Sequence, residues 1–283
     1  MQTIRSPRSL RRALAEWRER GERIALVPTM GNLHRGHLSL VELAGRHADH
    51  VVVSLFVNPT QFGPSEDFAA YPRTISRDRR ALREAETDIL FTPDAAAMYP
   101  FGAEQMTRVE VPGLSDELCG ESRPGHFAGV TSVVCRLLNI VQPELAVFGR
   151  KDYQQLLIIQ RMAKDLHLPV EIRSGPTQRE PDGLALSSRN QYLSEAERAS
   201  AAGIYRALRQ CRDALRAGER GYRRLENAGR RRLKAAGLRP DYFAVRTPDL
   251  SPPGADTRRF VVLAAAYSGR ARLIDNLAVS AVN

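Results

Sequence analysis

Apolar and polar positions alternate in a regular way through the first 175 residues of the chain. Short apolar runs typical of strands take turns with amphipathic stretches of helical period. The run 51–57 is apolar at all positions but one, which suits a strand covered on both faces. This alternation predicts crossover units around a mostly parallel, doubly wound sheet. The predicted strands are 23–28, 50–57, 88–91, 144–148 and 169–173, and the predicted helices are 7–20, 36–47, 74–86, 127–141 and 153–166.

The pattern changes after residue 176, where a polar loop precedes two helices rich in Ala and Arg and then three strand-like runs. Helices followed by consecutive strands predict a small α+β unit with an antiparallel sheet. These helices are 195–216 and 221–236, and the strands are 240–246, 259–266 and 271–279. The expected fold is α/β, with a doubly wound Rossmann-like parallel sheet in residues 1–176 and a second, smaller α+β C-terminal domain in residues 177–283.

The composition is that of a globular protein, with 43% hydrophobic and 26% charged residues among 283. A formal net charge of +10 indicates attraction to anions, which include nucleic acids, anionic membranes and nucleoside triphosphates. Charge alone does not choose among these partners. Only three of the 42 basic residues are lysines, so Lys151 stands out in a chain that otherwise uses arginine.

Cysteine usage and the length of the apolar runs bear on the compartment. The three cysteines form no closely spaced pair, which argues against a disulfide framework and against a zinc site. The longest apolar runs are far shorter than the roughly 20 residues that a bilayer-spanning helix needs. We interpret the Arg-rich segment 5–20 as a structural helix rather than a transit peptide. We therefore expect a reducing, cytoplasmic location and no membrane partner.

The stretch that follows the strand 23–28 carries the strongest chemical signal. A glycine-containing turn, residues 28–31, leads into a helix whose first residues include His34 and His37. Backbone N–H groups and the positive end of the helix dipole favour a phosphate at such a position. Two imidazoles three residues apart can face the same phosphate group. The alternative interpretation is a capped helix start with two solvated histidines.

Three further polar segments carry candidate chemistry. Asn58 and Gln61 follow the strand 50–57, where their amides can orient a small polar substrate or form an ordinary turn. Residues 148–155 open a helix with Gly, Lys and Asp, which suits a nucleotide or an ordinary helix start. The loop 186–189 supplies two hydroxyls and a guanidinium, which suit a clamp on a triphosphate or a solvated loop between domains.

Taken together, these segments resemble the pantothenate synthetase family, the ligases that join pantoate to β-alanine. The resemblance extends over essentially the whole chain. Six blocks in one order are far more specific than any single motif. The blocks are 28–37, 56–62, 123–127, 148–155, 182–190 and 271–276.

The resemblance implies a role for each candidate residue. His34, His37 and Lys151 would be catalytic and lie at the phosphates, with His37 as the proton donor. Gln61 and Gln155 would bind pantoate, and Gln61 would also bind β-alanine. The pocket neighbours would be Asn58, Arg123 and His126. The residues that bind ATP would be Met30, Gly31, Asn32, Leu33, His34, Arg35, Gly36, His37, Gly149, Arg150, Lys151, Asp152, Gln178, Leu186, Ser187, Ser188 and Arg189.

Within the ATP site, the resemblance places Gly149 and Asp152 at the ribose and the segment 187–189 at the leaving diphosphate. The main chain of Gln178 would contact the adenine. Two positions depart from the family pattern, because Arg150 stands where the family usually has Glu and Gln178 where it usually has an apolar residue. Since Gln178 would act through its main chain, only Arg150 changes the expected local charge.

The implied reaction has two steps, attack of the pantoate carboxylate on the α-phosphate of ATP and attack of the β-alanine amine on the resulting acyl adenylate. No enzyme nucleophile is required, so Lys, Arg, His, helix ends and Mg²⁺ on the ATP phosphates would supply charge stabilisation. The resemblance assigns no protein ligand to the Mg²⁺, and it also implies a homodimer. Because water must be kept from the adenylate, we expect the stretch 61–71, the loop 187–189 or the smaller domain to cover the active site.

Other functions fit parts of the pattern. A nucleotidyltransferase or a relative of the aminoacyl-tRNA synthetases would share the paired histidines, but the amides of Gln61 and Gln155 favour a small carboxylic acid. A nucleic-acid-binding protein would use the arginines of the helix 221–236, which we interpret as a solvated face. A dinucleotide dehydrogenase is disfavoured because no Gly-x-Gly-x-x-Gly follows the first strand. We therefore expect small-molecule partners and no nucleic acid.

Overall fold

The computed structural model describes residues 1–64, 66 and 68–281. These residues form two compact units. The first unit contains Met1–Arg150 and Gln155–Pro176, and the second unit contains Lys151–Gln154 and the residues from Thr177 on. The expected domain boundary between residues 176 and 177 stays a prediction.

The first unit is built on a parallel sheet. Its strands are β1 (Gln2–Ile4), β2 (Ile24–Thr29), β3 (His50–Leu55), β4 (Ile89–Phe91), β5 (Leu145–Gly149) and β6 (Glu171–Gly175). The strand order is β1-β4-β3-β2-β5-β6, and every neighbouring pair is parallel. The sheet grows from β2 in both directions, which confirms the predicted doubly wound α/β class. The sequence pattern does not predict β1, because three residues are too few to show a period.

The helices predicted for this unit are confirmed, with ends that differ by at most two residues. They are α1 (Pro7–Glu19), α2 (Arg35–Gly45), α3 (Ile75–Glu84), α6 (His126–Val141) and α7 (Tyr153–Asp165). The chain also forms a 3-10 helix at Pro59–Gln61 and two short helices that the pattern does not predict, α4 (Ala95–Met98) and α5 (Cys119–Ser122). No helix within the described ranges is long and apolar enough to cross a membrane.

Apolar packing fixes the middle strands of this sheet. Val27, Val53 and Val147 of β2, β3 and β5 are fully buried, and they share one core cluster with Leu40 of α2 and Leu82 of α3. Burying a side chain of this kind stabilises the fold by about 1.5–3 kcal/mol. The strand interiors therefore hold the scaffold, and polar chemistry is left to the ends of the strands.

The second unit combines helices with an antiparallel sheet, as predicted. It contains a 3-10 helix (Ser188–Tyr192), the helices α8 (Glu195–Ala201), α9 (Gly203–Arg216) and α10 (Tyr222–Ala235), and the strands β7 (Arg239–Arg246), β8 (Arg259–Ser268) and β9 (Ala271–Ser280). The strand order is β7-β8-β9, and both pairs are antiparallel.

One helix of this unit was predicted as continuous, and that prediction is wrong. The expected helix 195–216 is two helices that meet at Ala202. A Cβ atom at Gly203 would lie 2.6 Å from the Cβ of Ala236, so a close approach to the end of α10 determines the chain path at this point. That contact joins residues far apart in the sequence, and the local helical period therefore does not reveal the break.

Candidate active site

The carboxyl ends of three neighbouring strands bring the candidate segments of the first unit together. Strand β2 pairs with β3 on one side and with β5 on the other, so the sheet reverses its order at β2. Ligands of doubly wound sheets bind at such a switch point, outside the carboxyl ends of the strands. The segment 30–37 follows β2, residues 58–61 follow β3, and Gly149 ends β5.

A buried carboxylate holds the turn after β2. Gly31 and Asn32 both have positive φ angles, 84° and 51°. A residue with a side chain would be strained at position 31, because side chains disfavour this backbone conformation. Asp78 of α3 is 1% exposed, and its carboxylate accepts hydrogen bonds from the backbone N–H groups of Asn32 and Leu33, both at 2.9 Å. The hydroxyl of Thr74 donates to the same carboxylate at 3.1 Å. The shape of the turn therefore depends on Asp78.

Sequence reasoning missed Asp78, although one signal was present. Asp78 lies four residues before Leu82 in α3, so the two side chains share the buried face of this Arg-rich helix. An acidic residue on the apolar face of an amphipathic helix requires a buried donor. The pattern indicates that a partner exists, but only the fold shows that the partner is the turn.

The paired histidines shape the start of α2. His34 is the N-cap of α2, and its Nδ1 accepts a hydrogen bond from the N–H of Gly36 at 3.1 Å. The Nδ1 of His37 accepts one from the N–H of His34 at 3.3 Å, and the ring centroids lie 4.0 Å apart. Because each Nδ1 is an acceptor, the neutral rings carry their proton on Nε2. Both imidazoles cap the helix, as the alternative interpretation held, but both are half-buried rather than solvated.

The carboxamide of Gln61 is held in one orientation at the end of β3. Its Oε1 accepts a hydrogen bond from Asn58 Nδ2 at 3.2 Å, and its Nε2 lies 2.8 Å from the Sδ of Met30. Asn58 is 1% exposed, and its Oδ1 accepts from the hydroxyl of Tyr99 at 2.6 Å. Gln61 is therefore buried and oriented, not solvated in an ordinary turn, and it presents the donor end of its amide.

Arg123 and His126 hold the main chain of Gln61. The Nδ1–H of His126 donates to the Gln61 carbonyl at 2.8 Å, and Arg123 donates to it at 3.3 Å. Arg123 also donates to the Nε2 of His126 at 2.9 Å and to both carboxylate oxygens of Glu66 at 2.6 Å. Burial raises the pKa of Glu66, but the hydrogen bonds from Arg123, the positive charge of Arg123 and smaller contributions together outweigh burial and hold that pKa below its ordinary value. Two of the three predicted pocket neighbours, Arg123 and His126, thus act on Gln61 through its backbone.

A glycine that the sequence analysis did not single out lets α6 approach this segment. A Cβ atom at Gly129 would lie 2.3 Å from the carbonyl oxygen of Thr60 and 2.8 Å from the Cα of Gln61. The carbonyl of Gly129 also accepts from Asn58 Nδ2 at 3.1 Å. A lone glycine inside an apolar helix is a signal for such close packing, though not for the partner.

Gly149, Arg150 and Gln155 complete the candidate residues of the first unit. Among the residues that the structure describes, a Cβ atom at Gly149 would meet Leu40 alone, at an ordinary 3.8 Å, so none of their atoms requires a glycine there. Arg150 is exposed, and its guanidinium donates to the hydroxyl of Ser174 at 3.2 Å. Gln155 is half-buried in α7. The charge introduced by Arg150 is therefore directed toward β6.

Lys151 and Asp152 belong to the second unit, where they form an ion pair. The Nζ of Lys151 lies 3.6 Å from the Oδ1 of Asp152, with side chains 19% and 43% exposed. An ion pair with a solvated carboxylate contributes little energy. A phosphate is therefore able to compete with Asp152 for this ammonium group.

The loop before α8 contains a tight hairpin. The N–H of Leu186 donates to the carbonyl of Gln178 at 2.9 Å, and Arg179 forms an antiparallel bridge with Ala185. The hairpin ends at Ser187, whose hydroxyl accepts from the N–H of Arg189 at 3.3 Å and caps the 3-10 helix. These contacts show that the segment 187–189 forms a defined turn rather than an extended linker.

Metal and disulfide chemistry find little support among the described residues. In residues 1–64, 66 and 68–281, no group of three or more His, Cys, Asp or Glu side chains is placed to hold a metal ion. All three cysteines lie in these ranges, and none of them forms a disulfide. Burial raises the pKa of Cys211 to about 12, which makes this thiol unreactive.

The first unit therefore has a defined class. A parallel sheet whose switch point carries a glycine turn, a helix start and two imidazole donors is the architecture of an α/β enzyme that binds a nucleotide phosphate.

Comparison with known proteins identifies the family within this class. The family model described as pantoate-beta-alanine ligase matches residues 2–278. Pantothenate synthetase from Pseudomonas aeruginosa strain PAO1 is 55% identical over 280 residues, which cover 99% of this chain and 99% of that protein. Pantothenate synthetase from Thioalkalivibrio sulfidiphilus is 56% identical over 280 residues, which cover 99% of this chain and 98% of that protein.

Solved structures agree with this result. Pantothenate synthetase from Thermus thermophilus superposes with a TM-score of 0.91 at 48% identity, covering 98% of this chain and 99% of that chain. Pantoate-beta-alanine ligase from Francisella tularensis, complexed with beta-gamma ATP and beta-alanine, gives a TM-score of 0.83 at 34% identity, covering 98% and 97%. The chain belongs to the pantoate–beta-alanine ligase family. It is a ligase of pantothenate biosynthesis that condenses pantoate with β-alanine in an ATP-dependent reaction.

Proposed function

We propose that the segment 30–37 binds the phosphates of ATP and that His34 and His37 stabilise charge on them, with His37 as proton donor. The supporting observation is that the Nδ1 of each ring accepts a backbone N–H at the start of α2. Helix capping uses each Nδ1, so each Nε2 is the proton-bearing nitrogen, at the positive end of α2. A donor already oriented by the helix needs no reorganisation when negative charge develops on a phosphate.

The condensation then follows two displacement steps. A carboxylate oxygen of pantoate attacks the α-phosphorus of ATP, the bond to the bridging oxygen breaks, and diphosphate leaves. The amine of β-alanine next attacks the carbonyl carbon of the pantoyl adenylate, loses a proton, and expels AMP. Neither step needs a nucleophile from the protein, so the chain contributes orientation and charge stabilisation.

Gln61 and Gln155 bind pantoate in this proposal, and Gln61 also contacts β-alanine. The support for Gln61 is its fixed carboxamide, whose Oε1 accepts from Asn58 and whose Nε2 has a second N–H besides the one directed to the Sδ of Met30. Carboxylate and hydroxyl oxygens of pantoate accept such donors. Asn58, Arg123 and His126 keep Gln61 in place and so act on pantoate indirectly.

The remaining ATP contacts extend the proposal to the second unit. Lys151 binds the phosphates, Gly149 and Asp152 bind the ribose, and the main chain of Gln178 contacts the adenine. The segment 187–189 binds the leaving diphosphate, for which two hydroxyls and a guanidinium supply donors. The full set of proposed ATP-binding residues is Met30, Gly31, Asn32, Leu33, His34, Arg35, Gly36, His37, Gly149, Arg150, Lys151, Asp152, Gln178, Leu186, Ser187, Ser188 and Arg189.

Mg²⁺ enters with the nucleotide in this proposal. Mg²⁺ binds phosphate oxygens and water readily and does not require a cage of protein ligands, which fits the lack of a three-residue ligand cluster among the described residues. When bound, the ion neutralises charge on the phosphates. We further propose a cytoplasmic homodimer, on the family resemblance, and sedimentation of the purified protein tests the dimer.

A cover over the adenylate is part of the same proposal. The candidates are the stretch 61–71, in which Ser65 and Asp67 lie outside the described residues, the loop 187–189 and the smaller domain. Limited proteolysis with and without ATP plus pantoate tests both loops. Protection of one of them identifies the cover, whereas equal cleavage of both loops would exclude them.

Substitution of His37 and Lys151 tests the assignment. We expect His37→Ala and Lys151→Ala to fold normally and to lose about 3 kcal/mol of transition-state stabilisation, which is about a hundredfold in pantoate-dependent release of diphosphate. Matched controls are His47→Ala and Lys164→Ala, because both side chains are exposed. AMP formation is followed with pantoate, β-alanine or both. Near-normal diphosphate release by His37→Ala or Lys151→Ala would contradict the proposal.

A further inference from the structure

The block 271–276 carries part of the family resemblance but has no role in the reaction described so far. It lies on β9 and ends with Asp275 and Asn276, both only 5% exposed. Two consecutive buried polar side chains on one strand are unusual, because alternation along a strand places neighbours on opposite faces. Both side chains therefore require partners, and these partners connect β9 to the candidate phosphate-binding segments of the second unit.

Asp275 holds the hairpin that precedes the segment 187–189. Its two carboxylate oxygens accept from the guanidinium of Arg179 at 2.6 Å and 2.9 Å. The same guanidinium donates to the carbonyl of Gly183 at 3.0 Å and lies over the ring of Tyr205 at 4.1 Å. Arg179 thus joins the first arm and the turn of the hairpin to one carboxylate.

Asn276 holds the other segment. Its Nδ2 donates to the main-chain carbonyl of Lys151 at 2.8 Å. Burial raises the pKa of the Asp275 carboxyl, and the positive charges of Arg179 and Lys151 partly offset that effect. The main chain at Lys151 and the hairpin at Arg179 are consequently attached to adjacent residues of one strand.

A contribution to stability alone does not account for this arrangement. Removing the charges of a buried Arg–carboxylate pair from water costs several kcal/mol, and well-packed apolar residues often stabilise such a position as well or better. A bidentate pair does provide a fixed distance and direction. The pair holds one of the two segments for which phosphate binding is proposed above, and the neighbouring Asn276 holds the other, so the fixed geometry acts on both segments.

We propose that Asp275 and Asn276 are positioning residues, which hold the Lys151 main chain and the hairpin before the segment 187–189 in mutual register for ATP. The proposal rests on the phosphate-binding roles proposed above for Lys151 and the segment 187–189. Asp275 acts through Arg179, and Asn276 acts through the backbone of Lys151. Neither residue needs to touch a substrate.

The second unit supplies a matched control. Arg272 and Asp241 form a half-buried pair, with two hydrogen bonds of 3.0 Å and 2.7 Å to one carboxylate oxygen and a tyrosine ring 6.0 Å from the guanidinium. This pair joins β9 to β7 and holds neither candidate segment. Asp241→Asn therefore perturbs a similar ion pair on the same sheet without the proposed function.

The experiment compares Asp275→Asn, Asn276→Ala and Asp241→Asn in the full-length protein. Because a displacement near 1 Å of a catalytic group costs up to about a hundredfold in rate, we expect the first two variants to lose about tenfold to a hundredfold in pantoate-dependent diphosphate release. We expect Asp241→Asn to lower the free energy of unfolding while it retains kcat and the KM for ATP. Equal kinetic losses in all three variants would overturn the proposal.

A double-mutant cycle separates positioning from general destabilisation and remains usable if Asp275→Asn does not fold. If Asn276 acts through Lys151, Lys151→Ala combined with Asn276→Ala should be no slower than Lys151→Ala alone. If the rate loss of the double variant were the product of the losses of Lys151→Ala and Asn276→Ala, the proposal would be overturned. A Lys151→Ala variant with normal diphosphate release would instead refute the phosphate role of Lys151, so the two failures are distinguishable.

Discussion

Replacing Asp78 by Asn gives a direct test of how the phosphate turn is held. The substitution keeps the size of the side chain but removes its charge and one of its two acceptors. In the wild-type protein, one carboxylate oxygen accepts from the N–H of Asn32 and the other from the N–H of Leu33, both at 2.9 Å. An Asn side chain at position 78 can satisfy only one of these donors.

The expected loss follows from these contacts. A buried N–H that loses its acceptor costs about 1–3 kcal/mol, and a hydrogen bond to a charged group is worth about 1 kcal/mol more than one to a neutral group. Together they predict that Asp78→Asn lowers the free energy of unfolding by about 2–4 kcal/mol. The turn at Gly31 and Asn32 then loses a constraint on its positive φ angles, and we expect the KM for ATP to rise about tenfold.

Denaturant unfolding measures the first quantity, and diphosphate release at varied ATP concentration measures the second. Asp88→Asn is the control, because the carboxylate of Asp88 accepts from the N–H of Val51 at 2.8 Å, close to the amino end of β3. We expect this control to lose stability but to keep the KM for ATP. If Asp78→Asn were destabilised while its KM for ATP stayed at the wild-type value, Asp78 would support the fold and not the site.

Three further outcomes follow from the same reasoning. Gly129→Ala should lower the free energy of unfolding by about 1–3 kcal/mol and raise the KM for pantoate, because the new Cβ meets the backbone beside Gln61. Cys211, whose pKa burial raises to about 12, should react with iodoacetamide only after unfolding, as mass spectrometry of the labelled peptides shows. Arg123 holds the pKa of Glu66 below its ordinary value against the effect of burial. Ionised Glu66 therefore stabilises the fold fully at pH values above the unfolded pKa of about 4.3. The difference in unfolding free energy between wild type and Glu66→Gln should therefore shrink as the pH falls through the folded pKa.

Much of the scaffold is predictable because its signals are local. The apolar run 51–57 and its equivalents identify the buried strands, and the helical periods between them identify the crossover helices. The chain order of strands and helices then suffices to predict a doubly wound sheet. The turn segments fall at the carboxyl ends of the strands, which identifies the edge of the sheet where chemistry is expected.

The structural features that the sequence pattern did not predict depend on contacts between residues far apart in the sequence. Strand β1 is defined by its pairing with β4, and the break at Ala202 by the approach of Gly203 to Ala236. Asp78 lies 46 positions from Asn32, to which it is bonded. The local sequence indicates at most that such a residue needs a partner, as a polar side chain on the apolar face of a helix does. The identity of the partner is known only from the folded chain.

Three of the candidate site residues also cap helices, and the reason lies in the chemistry of helix ends. His34, Asn58 and Ser187 each cap a helix by accepting a backbone N–H, and each also belongs to a segment with a candidate ligand role. A helix start offers unpaired N–H groups, which attract both a capping side chain and a bound anion. A cap that uses one atom of a side chain also orients the rest of that side chain, as in His34, whose Nδ1 accepts the N–H of Gly36. The residues that define these helix starts therefore also fix the direction of the polar groups there, and local folding alone achieves this.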